Sequence, residues 1–199
     1  YGGDGMDCMV DYTNDQNVYV SYQNGAMQKS TNGGLSFTDI SPSSQGVWVT
    51  PFAMHPQDPS IIYAGCEEVY KSYDGGLNWS VISSQQFNAS IYSMNVAEAN
   101  PNYIYAATLD QLLQTSDDGA TWNDITSGLP VSAAALVSVT SATDDARKVW
   151  AVFSGYVQGQ KVYYSSDAGT TWLNLSGTLP NIPVNCIVSQ RNSPGTVYI

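Results

Sequence analysis

An eight-residue pattern is written four times in this 199-residue chain: STNGGLSF at 30–37, SYDGGLNW at 72–79, TSDDGATW at 115–122 and SSDAGTTW at 165–172. The copies start 42, 43 and 50 residues apart. A repeat of this length is one supersecondary unit that cannot bury its apolar face alone, so neighbouring units must stack. Within each copy the first, third, fifth and eighth positions carry the local chemistry. They are Ser30, Asn32, Gly34 and Phe37; Ser72, Asp74, Gly76 and Trp79; Thr115, Asp117, Gly119 and Trp122; and Ser165, Asp167, Gly169 and Trp172. The third-position Asp can accept bonds from backbone N–H groups of its own turn. The glycine can take φ > 0, the hydroxyls can tie the hairpin ends, and the closing aromatic ring is free to wedge against a neighbouring unit.

The period persists between the copies. Alternating segments anchored by Tyr19, Tyr63, Tyr105, Trp150 and Tyr198 recur at 44, 42, 45 and 48 residues. A polar turn and another apolar run precede each anchor, and an Ile-Ser, Ile-Thr or Leu-Ser pair closes each complete repeat. One repeat thus reads strand A, turn, strand B, turn, strand C, signature turn, strand D, which is a four-stranded antiparallel meander. The chain is expected to be an all-β propeller segment, residues 1–199, with blades at about 6–41, 48–83, 91–126 and 134–176 and a partial fifth at 183–199. A sheet cut after strand B leaves an unpaired edge. The expectation is therefore a larger propeller, completed by remaining blades of the same chain or by another subunit.

Composition narrows the partners. Seventeen acidic against six basic residues give a net charge of -11, which repels nucleic acid and anionic membranes. No apolar run approaches the ~18 residues of a membrane-spanning helix. Few charges and many Ser, Thr, Asn, Gly and Tyr residues fit a secreted all-β protein. Cys8, Cys66 and Cys186 have no metal-type spacing and define no disulfide framework. Each signature offers one or two acids where a calcium loop needs several oxygen ligands, so no metal or cofactor is expected.

The signatures resemble the BNR or Asp-box repeat, Ser/Thr-x-Asp-x-Gly-x-Thr-Trp/Phe. The third and fourth copies fit throughout; the first departs at Asn32, Ser36 and, in closing on the smaller ring, Phe37, and the second at Asn78. The opening Gly2-Gly3-Asp4-Gly5 is also similar to long secreted BNR proteins. The resemblance implies a β-propeller of the kind found in sialidases, xyloglucanase-type glycosidases, sortilin-type receptors and bacterial surface proteins. It implies extracellular or cell-surface placement more than it implies a reaction.

In an up-and-down meander the A–B turns and signature turns share one face, while the B–C turns and D–A connections share the other. Variable loops on a rigid scaffold are where binding usually lives. The candidate ligand residues on that second face are Trp48, Tyr156, Glu67, Glu68 and Asp110. The acids near it, Asp4, Asp7, Glu67, Glu68 and Asp110, are also the candidates for an inverting glycosidase pair, which requires carboxyl groups about 6.5–9.5 Å apart. Sialidases grip a carboxylate with three arginines, whereas this chain has only Arg147 and Arg191, both in or beside A–B turns. His55, the only histidine, also falls in an A–B turn and supports no Ser–His pair. The expected function is a non-catalytic binding or scaffold module for a glycan or protein partner. A fragment of a xyloglucanase-type glycoside hydrolase and a structural spacer are the alternatives.

Overall fold

The computed structural model describes residues 4–193 and 195–199. Gly2 and Gly3 of the opening motif, and Pro194 of the last polar turn, lie outside the described residues. The chain divides into two compact units, residues 1–91 and 92–199.

The first unit holds two sheets. One is β1 (Gly5–Val10), β2 (Val18–Tyr22), β3 (Ala26–Ser30) and β4 (Thr38–Asp39); the other is β5 (Phe52–Met54), β6 (Ile62–Gly65), β7 (Val69–Ser72) and β8 (Ser80–Val81). The second unit holds β9 (Ser93–Val96), β10 (Ile104–Ala107), β11 (Leu112–Thr115) and β12 (Asn123–Asp124), then β13 (Leu136–Ser141), β14 (Val149–Phe153), β15 (Val162–Ser165) and β16 (Leu173–Asn174), and a two-stranded sheet of β17 (Val188–Ser189) and β18 (Val197–Tyr198). Every sheet is an antiparallel meander in sequence order. These are four complete propeller blades and a partial fifth.

Tyr19, Tyr63, Tyr105 and Trp150 each stand second in their B strand, where an aromatic ring buries a large area, whereas Tyr198, last in β18, is exposed. Tyr19, Tyr63, Tyr105 and Trp150 are all buried. Each is covered by its cross-strand partner on strand C, Lys29, Lys71, Gln114 and Tyr164 respectively. The Lys29 and Lys71 ammonium groups stand 5.1 and 5.3 Å from the Tyr19 and Tyr63 ring centres, within cation–π range. The anchors lead the cores of both units: Tyr19 packs with Met27, Ile40, Ile62 and Tyr70 in the first, and Tyr105 with Leu112, Ile125, Leu136 and Phe153 in the second.

The signature turns share one hydrogen-bond plan. The first-position hydroxyl donates to the third-position carbonyl or carboxylate oxygen at 2.7–2.9 Å and accepts the fifth-position glycine N–H at 2.8–2.9 Å. The third-position oxygen also accepts the seventh-position N–H. The two departures preserve this plan. Asn32 donates its amide N–H to Ser36 Oγ, where Asp74 accepts one from Asn78 Nδ2; donor and acceptor have exchanged places.

Positions four and five are left-handed in every copy, with φ 68° and 90° at Gly33 and Gly34, and 59° and 89° at Ala168 and Gly169. That geometry aims the fourth-position N–H outward, where it donates to the adjoining A–B turn: Gly33 to Gln16 O, Gly75 to Ser60 O, Asp118 to Asn102 O and Ala168 to Arg147 O. Within each complete blade the A–B turn and the signature therefore lie at the same end of the sheet.

The end of strand D carries a second repeated device. The side-chain oxygens of Ser41, Ser83, Thr126 and Ser176 accept the backbone N–H of Met27, Val69, Leu112 and Val162 at the start of strand C. The preceding residue, Ile40, Ile82, Ile125 or Leu175, donates its N–H to the carbonyl of the same strand C residue. These bonds complete pairing that the two-residue D strands cannot finish alone.

Acid tests this plan. The amide of Asn78 holds the Asp74 carboxyl at about 2, and the hydroxyls of Ser165 and Thr171 hold Asp167 at about 2. Asp117 is lowered by Thr121 and Thr115. A depressed folded pKa contributes stability above the ordinary aspartate value of about 4, and that contribution fades as pH falls toward about 2. A circular-dichroism acid titration is expected to place unfolding in that window. Asp74→Asn with Asn78→Ser, which copies the Asn32–Ser36 pairing, should shift the transition of the first unit to lower pH; an unchanged midpoint would count against the assignment.

Candidate functional site

Within each unit, the B–C turns and D–A connections lie at the strand ends opposite the signature turns. In the first blade, Gln23–Gly25 form a single 3-10 turn with Asn24 at φ 63°. The Asn24 N–H donates to Trp48 O at 3.3 Å and its carbonyl accepts Gly46 N–H at 3.2 Å. Thr50 Oγ1 donates to Val47 O at 2.8 Å. Gly25 lies close beneath this loop: at φ 84°, a Cβ on it would stand 3.2 Å from Gly46 N. The backbone around Trp48 is thus tied down on both sides, while its indole is 56% exposed beside exposed Val49. A rigid backbone presenting an exposed ring is the arrangement aromatic recognition requires.

The candidate acids divide by what already holds them. Asp4 and Asp7 are exposed on the first blade; Asp4 N–H donates to Gln23 Oε1, and Asp7 Oδ1 accepts Cys8 N–H. Asp110 is exposed in the second unit and accepts the Thr108 hydroxyl at 3.0 Å. Glu67 and Glu68 are neighbours in the B–C turn of the second blade, yet only one of them is tied to the scaffold. Glu68 Oε2 accepts Ser83 Oγ–H at 2.6 Å and Oε1 accepts Gln85 N–H at 2.5 Å.

Comparison across blades explains why. At the end of strand D, Asp39, Asp124 and Asn174 accept the N–H of Ser41, Thr126 and Ser176. The second blade has Val81 at this place, and Glu68 reaches across from the B–C turn to bond Ser83 from the side. Sequence reasoning marked Glu68 as a ligand candidate; the missing polar residue at position 81 was the signal for its structural use. Glu67, Glu68, Gln85, Phe87, Asn88 and Ser90 line an open cleft of about 570 Å³ within the first unit.

Tyr156 projects from the longest B–C loop of the second unit and is 73% exposed. Its backbone is held by Asn181 Nδ2, which donates to Tyr156 O at 2.9 Å, and by buried Lys161, whose ammonium donates to Gly155 O at 2.5 Å. The cleft beside Leu179, Ile182, Val184 and Cys186 is apolar.

Other polar residues serve the scaffold. His55 Nδ1 accepts the N–H groups of Gln57 and Asp58. Arg147 pairs with Asp145, and Arg191 with Glu98, each at 3.2 Å. The carboxamides of Asn78 and Asn174, both in glycosylation-type triplets, donate to Asp74 and to Gly159 O. Burial pushes the Cys66 thiol up to about 12, leaving it inert as a nucleophile. No three His, Cys, Asp or Glu side chains among the described residues are grouped to hold a metal ion. No helix among them is long and apolar enough to cross a membrane.

Comparison with solved structures gives the same fold. A GH74 enzyme from Niastella koreensis superposes with a TM-score of 0.69 at 19% identity, covering 92% of this chain and 31% of that one. The GH74 xyloglucanase from Xanthomonas campestris gives 0.67 at 15%, covering 85% and 29%. YCF48 bound to D1 peptide gives 0.53 at 16%, covering 79% and 50%. The chain thus spans under a third of the length of these GH74 enzymes. No curated protein sequence matches it. The family model described as "Sortilin, neurotensin receptor 3", Sortilin-Vps10, matches residues 67–192. That match runs over more than half of the chain, and with the bladed fold it places this protein in the Sortilin-Vps10 family.

Proposed function

We propose that this chain is part of an extracellular or lumenal Asp-box propeller that binds a glycan or polypeptide without turning it over. The observation that carries this reading is the Trp48 loop, an exposed indole on a backbone braced by Asn24 and Thr50. Glu68, the acid beside Glu67 in the same turn, has both oxygens occupied by scaffold bonds and is unsuited to donate or abstract protons. The fold itself leaves function open, since it hosts an enzyme in the GH74 xyloglucanase and a peptide complex in YCF48.

Binding to a panel of immobilised polysaccharides and extracellular proteins tests the reading. Saturable binding without product release is expected, weakened about tenfold by Trp48→Ala through loss of aromatic contact. Polysaccharide hydrolysis that disappears in Asp4→Asn or Glu67→Gln would establish the second reading, a piece of a glycoside hydrolase, which the GH74 likeness favours. Silence in both assays would leave the spacer.

A further inference from the structure

The cleft of the first unit has features the scaffold does not use. The Glu67 carboxylate and the Gln85 carboxamide make no hydrogen bond or ion pair among the described residues, although both line the cavity. Gln85 is held at φ 57°, a conformation costly for a residue with a Cβ. Glu68 fixes it there through the Gln85 N–H. Phe87 adds an aromatic wall, and Asn88 and Ser90 complete the polar lining.

We infer that this cleft is a binding subsite for an uncharged oligosaccharide, with Glu67 and Gln85 as its hydrogen-bonding residues. The inference rests on the binding reading above and deepens it by naming a place and a ligand class. The volume is in the range of small-ligand sites. A free carboxylate accepts two hydroxyl protons, a carboxamide both donates and accepts, and an aromatic wall contacts the C–H face of a sugar ring. An anionic ligand would meet Glu67 and Glu68 on a chain of net charge -11. A metal ion needs more oxygens than one free carboxylate supplies.

The test is a residue-resolved NMR titration of the whole chain with cellohexaose and with xyloglucan oligosaccharides, and separately with trilysine. Saturable shifts are expected at Glu67, Gln85, Phe87 and Asn88 with an oligosaccharide. Glu67→Ala should weaken binding about tenfold, as loss of charge-assisted hydrogen bonds does. Gln85→Gly should weaken it about fivefold, the value of one neutral hydrogen bond. Glycine accepts the left-handed backbone, so this variant keeps or raises the melting temperature and separates ligand loss from misfolding. Shifts confined to the Trp48 loop would overturn the cleft assignment and leave the binding module standing. Absence of saturable shifts with every oligosaccharide would overturn the ligand class, and the module would then stand or fall on the protein panel. Trilysine shifts in the cleft that vanish in Glu67→Gln and in high salt would assign a basic peptide and overturn the saccharide.

Discussion

Gly169→Ala is expected to destabilise the second unit by about 3 kcal/mol and lower its melting temperature by roughly 10 °C. Two costs combine. At φ 89° any side chain is strained, and the new Cβ would lie 2.3 Å from Ile125 Cδ1 and 2.9 Å from Ile125 Cβ. The first atom can swing away, but the second is fixed to the backbone of the preceding blade. Gly155→Ala separates the costs, because Gly155 sits at φ 92° and a Cβ there would meet nothing within 4 Å. Its loss should be about 1 kcal/mol. Equal losses at the two positions, measured by calorimetry, would show that the blade contact contributes nothing.

The second large effect is expected at the indole that touches the same isoleucine. Trp172 Nε1 donates to Ile125 O at 2.9 Å, as Trp79 Nε1 donates to Ile40 O at 2.8 Å in the first unit. Trp172→Ala should cost about 3 kcal/mol through lost burial and an unpaired carbonyl. Trp172→Phe keeps most of the apolar contact and should cost about 1 kcal/mol, the share of the hydrogen bond. Because Gly169 and Trp172 both press on Ile125, the double variant Gly169→Ala/Trp172→Ala should lose less than the sum of the two. Strict additivity in chemical denaturation would contradict a shared contact.

The architecture was legible because its determinants are local. Glycines, hydroxyls and Asp residues of the signatures bond within eight residues, and the Tyr and Trp anchors recur with the period of the sheet. The reach of those turns was less legible. The outward N–H at Gly33, Gly75, Asp118 and Ala168 finds a carbonyl many residues upstream, and backbone partners leave no trace in side-chain patterns. The site was legible only in part. Trp48 and Tyr156 could be placed on the loop face by topology, but Glu67 and Glu68 looked alike in sequence. Their separation depends on Val81, thirteen residues away from Glu68, where the other blades carry a polar side chain. Gln85 gave no signal, since its left-handed backbone is imposed by Glu68 and not by its own residue type.

The indole-to-carbonyl contact between successive blades has an evolutionary corollary. Within each unit, the earlier complete blade meets the later one through one carbonyl and one isoleucine, those of Ile40 or Ile125, against a glycine, Gly76 or Gly169, and an indole. Such a blade behaves as a cassette: recombination between two signature turns would exchange an entire set of B–C and D–A loops while restoring the same joint. The loops can then diversify by shuffling whole repeats, with no need to redesign the packing between them.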